Sequence, residues 1–137
     1  MSVLLDAFAL IALLAEEAAA EQVETLIRRG DTAITPINLA EALDVLQRVG
    51  QIPRERLQTL TTPLIGEHIK LAQIDEQIAR DAADIRARRY HRTRCPLSLA
   101  DCILLAATGS SDTLATADRA LIRTAEAENV TVTALAS

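Results

Sequence analysis

The sequence predicts an α/β domain in which a parallel sheet is covered by helices on both faces. Short apolar segments alternate with longer helical patterns, as expected of parallel strands joined by crossover helices. The chain has 137 residues, which suits one domain spanning residues 1–137, and half of the residues are hydrophobic. One Phe, one Tyr and no Trp are present, so Leu and Ala must fill the core.

The elements of the first half are marked by apolar runs and by helix start and stop signals. In chain order they are strand 2–6, helical turn 7–14, helix 16–29, strand 32–35, helix 36–49 and helix 53–63. Thr35 and Pro36 form a typical helix start, because Thr caps the helix and Pro suits its first position. Gly30 and Gly50 follow two of these helices as stop signals.

The second half follows the same alternation after one ambiguous segment. The elements are the ambiguous residues 64–73, helix 75–89, helix 98–108, strand 113–116, helix 118–128 and strand 130–135. Helix 75–89 has an apolar stripe, and on the opposite side Glu76, Arg80, Asp84 and Arg88 form a ladder of alternating charge. Helix 98–108 is apolar almost throughout, which predicts burial on all sides.

Composition excludes several classes of protein. Fourteen basic and nineteen acidic residues give a net charge of −5, which excludes a uniformly basic nucleic-acid coat but not a local basic patch. Cys95 and Cys102 are too few for a disulfide scaffold, and no Cys or His spacing matches a zinc site. The longest apolar run, residues 7–15, is far shorter than the roughly 20 residues of a membrane span. With no signal peptide evident, we expect a cytoplasmic protein that does not enter a membrane.

Four acids do not fit their surroundings. Asp6 ends the first strand between apolar residues, and Asp101 interrupts an otherwise apolar helix. Glu41 lies on a helix that is apolar on two sides, and Asp118 follows the strand 113–116. An unpaired buried carboxylate costs several kcal/mol, so each needs a cation, a proton or strong hydrogen bonds.

Ordinary structural roles are the alternative for each acid. Asp6 and Asp118 could be helix N-caps, and Asp101 could complete a capping box that begins at Ser98. Glu41 could be a solvated side chain that points along a groove. Caps alone do not explain why several acids occur at one end of the predicted strands.

Taken together, the four acids predict a metal site. A doubly wound fold brings the ends of its strands to one edge of the sheet, where ligands bind. Four carboxylates at that edge would repel one another, and Mg²⁺ or Mn²⁺ would neutralise them. Such a site activates water for attack on a phosphodiester. Thr116 could add a hydroxyl to the same edge.

Four segments, taken in their order along the chain, resemble the PIN-domain ribonucleases of the VapC toxin type. These segments are residues 3–10 (VLLDAFAL), 38–41 (NLAE), 97–107 (LSLADCILLAA) and 114–121 (LATADRAL). The resemblance covers essentially the whole chain. It implies an α/β/α sandwich and an acidic site that holds Mg²⁺ or Mn²⁺ through Asp6, Glu41, Asp101 and Asp118.

The same resemblance implies an activity and partners. We expect a toxin that cuts RNA to leave a 5′-phosphate and a 3′-hydroxyl, that forms a homodimer, and that is inhibited when the tail of a cognate antitoxin enters the active-site groove. The chain departs from the family at Ala120, where many relatives carry a further acid.

A basic strip precedes the Asp101 helix. Residues 86–94 contain no acid and five arginines, namely Arg86, Arg88, Arg89, Arg92 and Arg94, with Tyr90 and His91 between them. The strip is a candidate surface for the RNA backbone. Alternatively, it is a solvated helix end whose arginines suit the helix dipole.

Two other functions compete with the nuclease. A PIN-like fold could bind RNA or a protein with little catalysis, although four mutually repelling acids are of no use to a pure binding module. A phosphoacceptor domain with Asp6 in an acidic pocket would need a later Lys, and the only Lys is Lys70.

Overall fold

Five parallel strands form the centre of the computed structural model, which describes residues 1–137. The strands are β1 (Val3–Leu5), β2 (Thr32–Ile34), β3 (Ile69–Leu71), β4 (Thr113–Thr116) and β5 (Thr131–Ala134). They lie in the order β3-β2-β1-β4-β5, and every neighbouring pair is parallel. The predicted parallel sheet is confirmed, and the ambiguous residues 64–73 contain the edge strand β3.

Seven helices connect or follow the strands. They are α1 (Ala7–Leu14), α2 (Ala20–Arg28), α3 (Pro36–Arg48), α4 (Arg54–Thr61), α5 (Glu76–Arg89), α6 (Leu99–Ala107) and α7 (Arg119–Ala127). The helix predicted from residue 16 begins later because Glu16 has a φ of 54°. A residue in this left-handed region cannot continue a right-handed helix. None of the helices is both long enough and apolar enough to cross a membrane.

Alternate strand residues face two helical layers, as the pleat of a strand requires. On β1, Leu4 packs with residues of α5, α6 and α7, while Leu5 packs with residues of α1 and α2. On β4, Leu114 and Ala115 are divided between the same two layers. Helices therefore cover both faces, and the α/β/α sandwich is confirmed.

Every residue of the helix α6 except Leu99 is at least partly buried. Leu104 is fully buried in the core, whereas Leu99, in the first turn, is 53% exposed. The prediction of burial on all sides is therefore wrong at the start of this helix. In the first turn only Leu99 is exposed, since Ala100 beside it is buried.

The order of the strands creates a crevice at the carboxyl edge of the sheet. The chain builds β1, β2 and β3 outward on one side and then returns to place β4 and β5 on the other. Ligands bind in such folds where the direction reverses, here between β1 and β4. Leu5 is in register with Ile34 and Ala115, so Asp6 and Thr116 follow at one edge.

Two identical substitutions on α6 should differ greatly in their effect on stability. Leu104→Ala removes a fully buried side chain and should cost roughly 2–5 kcal/mol of unfolding free energy. Leu99→Ala removes an exposed one and should cost within about 0.5 kcal/mol. Urea unfolding at a constant slope measures both, and equal losses would contradict the difference in burial between Leu104 and Leu99.

Candidate functional site

All four acids singled out from the sequence line one open cleft of about 420 Å³. Asp6 follows β1, Glu41 lies on α3, Asp101 lies on α6, and Asp118 stands between β4 and α7. Each acid therefore comes from a different connection, and the topology brings all four to the carboxyl edge of the sheet.

Asp6 and Asp118 are the N-caps of the helices that follow them. The Oδ1 atom of Asp6 accepts a hydrogen bond from the backbone N–H of Ala9 at 2.9 Å. The Oδ1 atom of Asp118 accepts one from the backbone N–H of Leu121, also at 2.9 Å. The capping interpretation is thus confirmed for both acids, and it does not exclude a role in the cleft, because each cap uses one carboxylate oxygen.

Asp101 belongs to a reciprocal capping box with Ser98. Its Oδ2 atom accepts from the backbone N–H of Ser98 at 3.0 Å, and the Ser98 hydroxyl oxygen accepts from the backbone N–H of Asp101 at 3.0 Å. The box fixes the rotamer of Asp101 in the first turn of α6. The Oδ1 atom has no protein partner and is available to the cleft.

The Thr116 hydroxyl forms hydrogen bonds with both Asp6 and Asp118. It donates a hydrogen bond to Oδ2 of Asp6 at 2.6 Å and accepts one from the backbone N–H of Asp118 at 3.0 Å. Thr116 itself is fully buried at the end of β4. The hydroxyl predicted to support the site therefore couples the end of β1 to the start of α7.

Asn38 is a further residue of the cleft whose role the sequence did not reveal. It is buried, its Oδ1 atom accepts from the Thr35 hydroxyl at 2.7 Å, and its amide donates to Oε1 of Glu41 at 3.2 Å. The amide thereby holds one oxygen of Glu41 in place. An amide three residues before an acid on one helix is the signal that could have indicated this pair.

Burial and mutual repulsion make the negative charges unfavourable. Burial raises the pKa of Asp6 to about 6 despite hydrogen bonds from Thr116 and Ala9, and the charges of Asp101 and Asp118 add to the increase. The pKa of Asp101 is raised by burial and then by the charge of Asp118.

Burial and repulsion also raise the pKa of Glu41, and the repelling charge is that of Asp101. The pKa of Glu41 is raised first by burial and then by the charge of Asp101, against the hydrogen bond from Asn38. Asp101 therefore interacts electrostatically with all three other acids, and a positive charge in this cleft would relieve the repulsion.

The donor set fits a hydrated divalent cation. Asp101, Asp118 and Glu41 each use one carboxylate oxygen within the fold and keep the other without a protein partner. No three Asp, Glu, His or Cys side chains form a ready-made cluster around a single point. Mg²⁺ takes one or two carboxylates and keeps several waters, so it does not require such a cluster, and oxygen donors suit Mg²⁺ or Mn²⁺.

Part of the basic strip is tied to the fold. Arg88 and Arg89 both pair with Glu128 at the end of α7, at 2.9 and 2.8 Å, and they lower the pKa of this acid. Of the ladder predicted on α5, the pair between Glu76 and Arg80 forms, whereas Arg88 pairs with Glu128 instead of with a residue of α5. These two arginines serve at least in part to join α5 to α7.

The rest of the strip is more exposed. The guanidinium groups of Arg92 and Arg94 make no hydrogen bond or ion pair, while Nε of Arg86 donates to the Leu97 carbonyl at 3.1 Å. His91 lies outside the cleft, and its Nδ1 atom accepts from the backbone N–H of Arg94 at 3.0 Å. Three arginines of the strip therefore bond to other parts of the fold, and the guanidinium groups of the other two have no partner.

Two residues bear on the alternatives raised by the sequence. Ala120 is buried in the core beside Leu121, so the position where many relatives carry an acid faces inward in this chain. Lys70 lies on the edge strand β3 and does not line the cleft. A phosphoacceptor site around Asp6 would therefore lack its lysine.

The fold is similar to those of two solved structures. The structure of VapBC2 from Rickettsia felis bound to a DNA fragment from its promoter matches with a TM-score of 0.68 and 15% identity, over 99% of this chain and 100% of that one. The structure of FitAcB from Neisseria gonorrhoeae matches with a TM-score of 0.60 and 24% identity, over 95% of each chain.

Sequence comparison identifies the family. No curated protein sequence matches the chain significantly. The profile of the PIN domain matches residues 3–127, which include all four cleft acids and most of the chain. The match also agrees with the order of strands and with the acidic cleft at the carboxyl edge. The chain belongs to the PIN domain family.

Proposed function

We propose that the chain is a divalent-metal-dependent endoribonuclease that acts as a toxin. The observation that carries the proposal is the convergence of Asp6, Glu41, Asp101 and Asp118 in one cleft, where burial and repulsion disfavour the charges of the first three. A cluster that is unfavourable without a cation is typical of a metal-dependent active site. Membership of the PIN domain family supports nuclease chemistry.

In this proposal the four acids hold Mg²⁺ or Mn²⁺. When bound, the cation neutralises the carboxylates, stabilises charge that develops on the phosphate and activates the attacking water. The protein keeps the acids in position through the caps and through the Thr116 hydroxyl. Asn38 keeps Glu41 turned into the cleft.

The proposed reaction is hydrolysis of an RNA phosphodiester. Water attacks the phosphorus, the bond to the 3′ oxygen breaks, and the 3′ oxygen takes up a proton. The products are a 5′-phosphate and a 3′-hydroxyl. Arg92 and Arg94, whose guanidinium groups have no partner within the chain, are the arginines best placed in the strip to contact the phosphate backbone.

The proposed partners follow from the resemblance to VapC-type toxins. A cognate antitoxin would inhibit the nuclease by inserting a segment into the acidic cleft, and the toxin would form a homodimer in the cytoplasm. The likeness in fold to the VapBC2 and FitAcB structures supports a partner protein of this kind.

A binding module is the second candidate function. It is favoured by the lack of a ready-made cluster of three ligands and by the burial of Ala120, which leaves the cleft without a fifth acid. Such a module would bind RNA or a protein through the same cleft with little turnover. Measurement of cleavage separates it from the nuclease.

Neutral isosteres of the acids should abolish cleavage. Asp6→Asn, Glu41→Gln, Asp101→Asn and Asp118→Asn should each lower the rate by about 100-fold or more, because each removes charge from the site that stabilises the transition state. The assay is cleavage of a single-stranded RNA by the purified variants in Mg²⁺ and in Mn²⁺.

Asp44→Asn is the matched control for Glu41→Gln. Asp44 lies on the same helix but is exposed and pairs with Arg48, so its removal should leave cleavage unchanged. Full activity of Asp101→Asn, the acid coupled to all the others, would refute the proposed site.

Thermal melting should separate the cap from the charge at Asp101. In chelator at pH 7, Asp101→Asn should raise the melting temperature, because Asn retains an acceptor for Ser98 and relieves an unfavourable charge. In millimolar Mg²⁺ its gain in melting temperature should be smaller than that of the wild type, since weaker binding gives less stabilisation.

Ser98→Ala provides the opposite control. It removes the N-cap oxygen and should cost about 1 kcal/mol with or without Mg²⁺, leaving the shift caused by Mg²⁺ intact. A less stable Asp101→Asn protein with an undiminished Mg²⁺ shift would make Asp101 a cap alone.

The raised pKa of Asp6 predicts a pH-dependent penalty. A carboxyl whose pKa rises on folding binds its proton more tightly in the folded state, so stability falls as the pH rises from about 4 to about 6. In chelator, Asp6→Asn should therefore gain stability relative to the wild type across this range, with the difference constant above pH 7. A difference that does not vary with pH, measured by urea unfolding, would contradict this.

A further inference from the structure

A second pocket lies beside the acidic cleft. It has a volume of about 420 Å³, within the range of about 300–1,000 Å³ that is usual for ligand pockets. Its walls are Tyr90 and Leu99, and Ala83, Ala87 and Arg86 complete its lining. The two large side chains are 44% and 53% exposed, which makes this an apolar site open to solvent.

The pocket adjoins the acidic cleft at the first turn of α6. Leu99 lies between Ser98 and Asp101, both of which line the cleft. The first turn of α6 therefore contributes Leu99 to the pocket and Ser98 and Asp101 to the cleft, so a polymer bound at Asp101 has the pocket close by.

The aromatic wall of the pocket is already fixed in place. The guanidinium of Arg86 stacks on the Tyr90 ring, 4.4 Å from the ring centre, and Nε of Arg86 donates to the Leu97 carbonyl. The ring is thus held by a side chain that is itself anchored to the backbone. Little conformational entropy is lost when a ligand stacks on such a preorganised surface.

Arg86, which lines the pocket, belongs to the basic strip, and this positive charge favours an anionic occupant. Residues 86–94 carry five arginines and no acid, and Arg92 and Arg94 are free of ion pairs. An unpaired base stacks on aromatic rings while its phosphates contact arginines, which is the usual combination for single-stranded nucleic acid. Because the remainder of this chain is acidic, the strip is the surface that suits a phosphate backbone.

We propose that the pocket between Tyr90 and Leu99 binds one unpaired nucleobase of the single-stranded RNA whose backbone enters the acidic cleft. This inference rests on the proposed function and adds a position at which the substrate is held. The base stacks against the Tyr90 ring, and the alanines of α5 leave space for it.

The chain has a built-in probe for this contact. Tyr90 is the only Tyr and there is no Trp, so tyrosine fluorescence reports on this ring alone. In chelator, which separates binding from cleavage, an octamer of adenylate should quench this emission. An abasic ribose-phosphate octamer of equal charge should bind more weakly and leave the emission unchanged.

Substitution tests the ring independently of fluorescence. Tyr90→Ala should weaken binding of labelled oligoadenylate by about tenfold, as expected for the loss of one stacked base, with the same salt dependence. Tyr90→Phe keeps the ring and should bind within about twofold of the wild type. Neither variant should change the binding of the abasic octamer.

Several outcomes would overturn the proposal while leaving the nuclease intact. One is oligoadenylate binding without quenching of Tyr90, and another is an equal loss of affinity for the normal and abasic octamers in Tyr90→Ala. A change in oligomeric state in Tyr90→Ala, with unchanged RNA binding, would assign the pocket to a second copy of the chain. Conversely, oligoadenylate could quench Tyr90 emission in chelator while the same protein cleaves no RNA in Mg²⁺ or Mn²⁺. That result would support the pocket and refute the nuclease.

Discussion

The capping of helices at one edge of a parallel sheet is the constraint on which the site depends. Every crossover helix that follows a strand begins at the carboxyl edge, and each leaves backbone N–H groups without partners in its first turn. Asp6 and Asp118 supply acceptors for these groups on α1 and α7, and Asp101 accepts from the N-cap residue Ser98 at the start of α6. The need for caps thus concentrates carboxylates at one edge, and a carboxylate needs only one of its two oxygens for the cap.

This arrangement explains how a repulsive cluster can exist in a stable fold. Helix dipoles and capping hydrogen bonds offset part of the cost of burying each charge, and the Thr116 hydroxyl supports Asp6. The raised pKa values of Asp6, Glu41 and Asp101 show that the offset is incomplete. The remaining electrostatic repulsion lowers the stability of the metal-free protein, and a bound cation would relieve it. The stability of the metal-free protein is therefore linked to its proposed activity.

Local patterns predicted most of the fold, because strand ends, caps and apolar periods are properties of neighbouring residues. They could not predict contacts between distant elements. Arg88 pairs with Glu128, forty residues away, instead of completing the ladder of charges predicted on α5. The exposure of Leu99, in a helix whose other residues are at least partly buried, depends on how α6 packs against distant elements. Capping and metal binding seemed to be alternatives in the sequence, but the caps of Asp101 and Asp118 each leave one carboxylate oxygen without a protein partner, so the two roles are compatible.

The most direct test of the central claim is the position at which a cation binds. Mn²⁺ broadens the NMR signals of nearby nuclei, so titration of ¹⁵N-labelled protein maps its site. We predict selective broadening of the backbone amides of Ala9, Ser98 and Leu121, the three donors bonded to the cleft carboxylates. The amides of Ser2 and Gly109, which are held by Asp112 near the opposite ends of the strands, should stay sharp. Broadening at that end alone, or at neither end, would contradict the account.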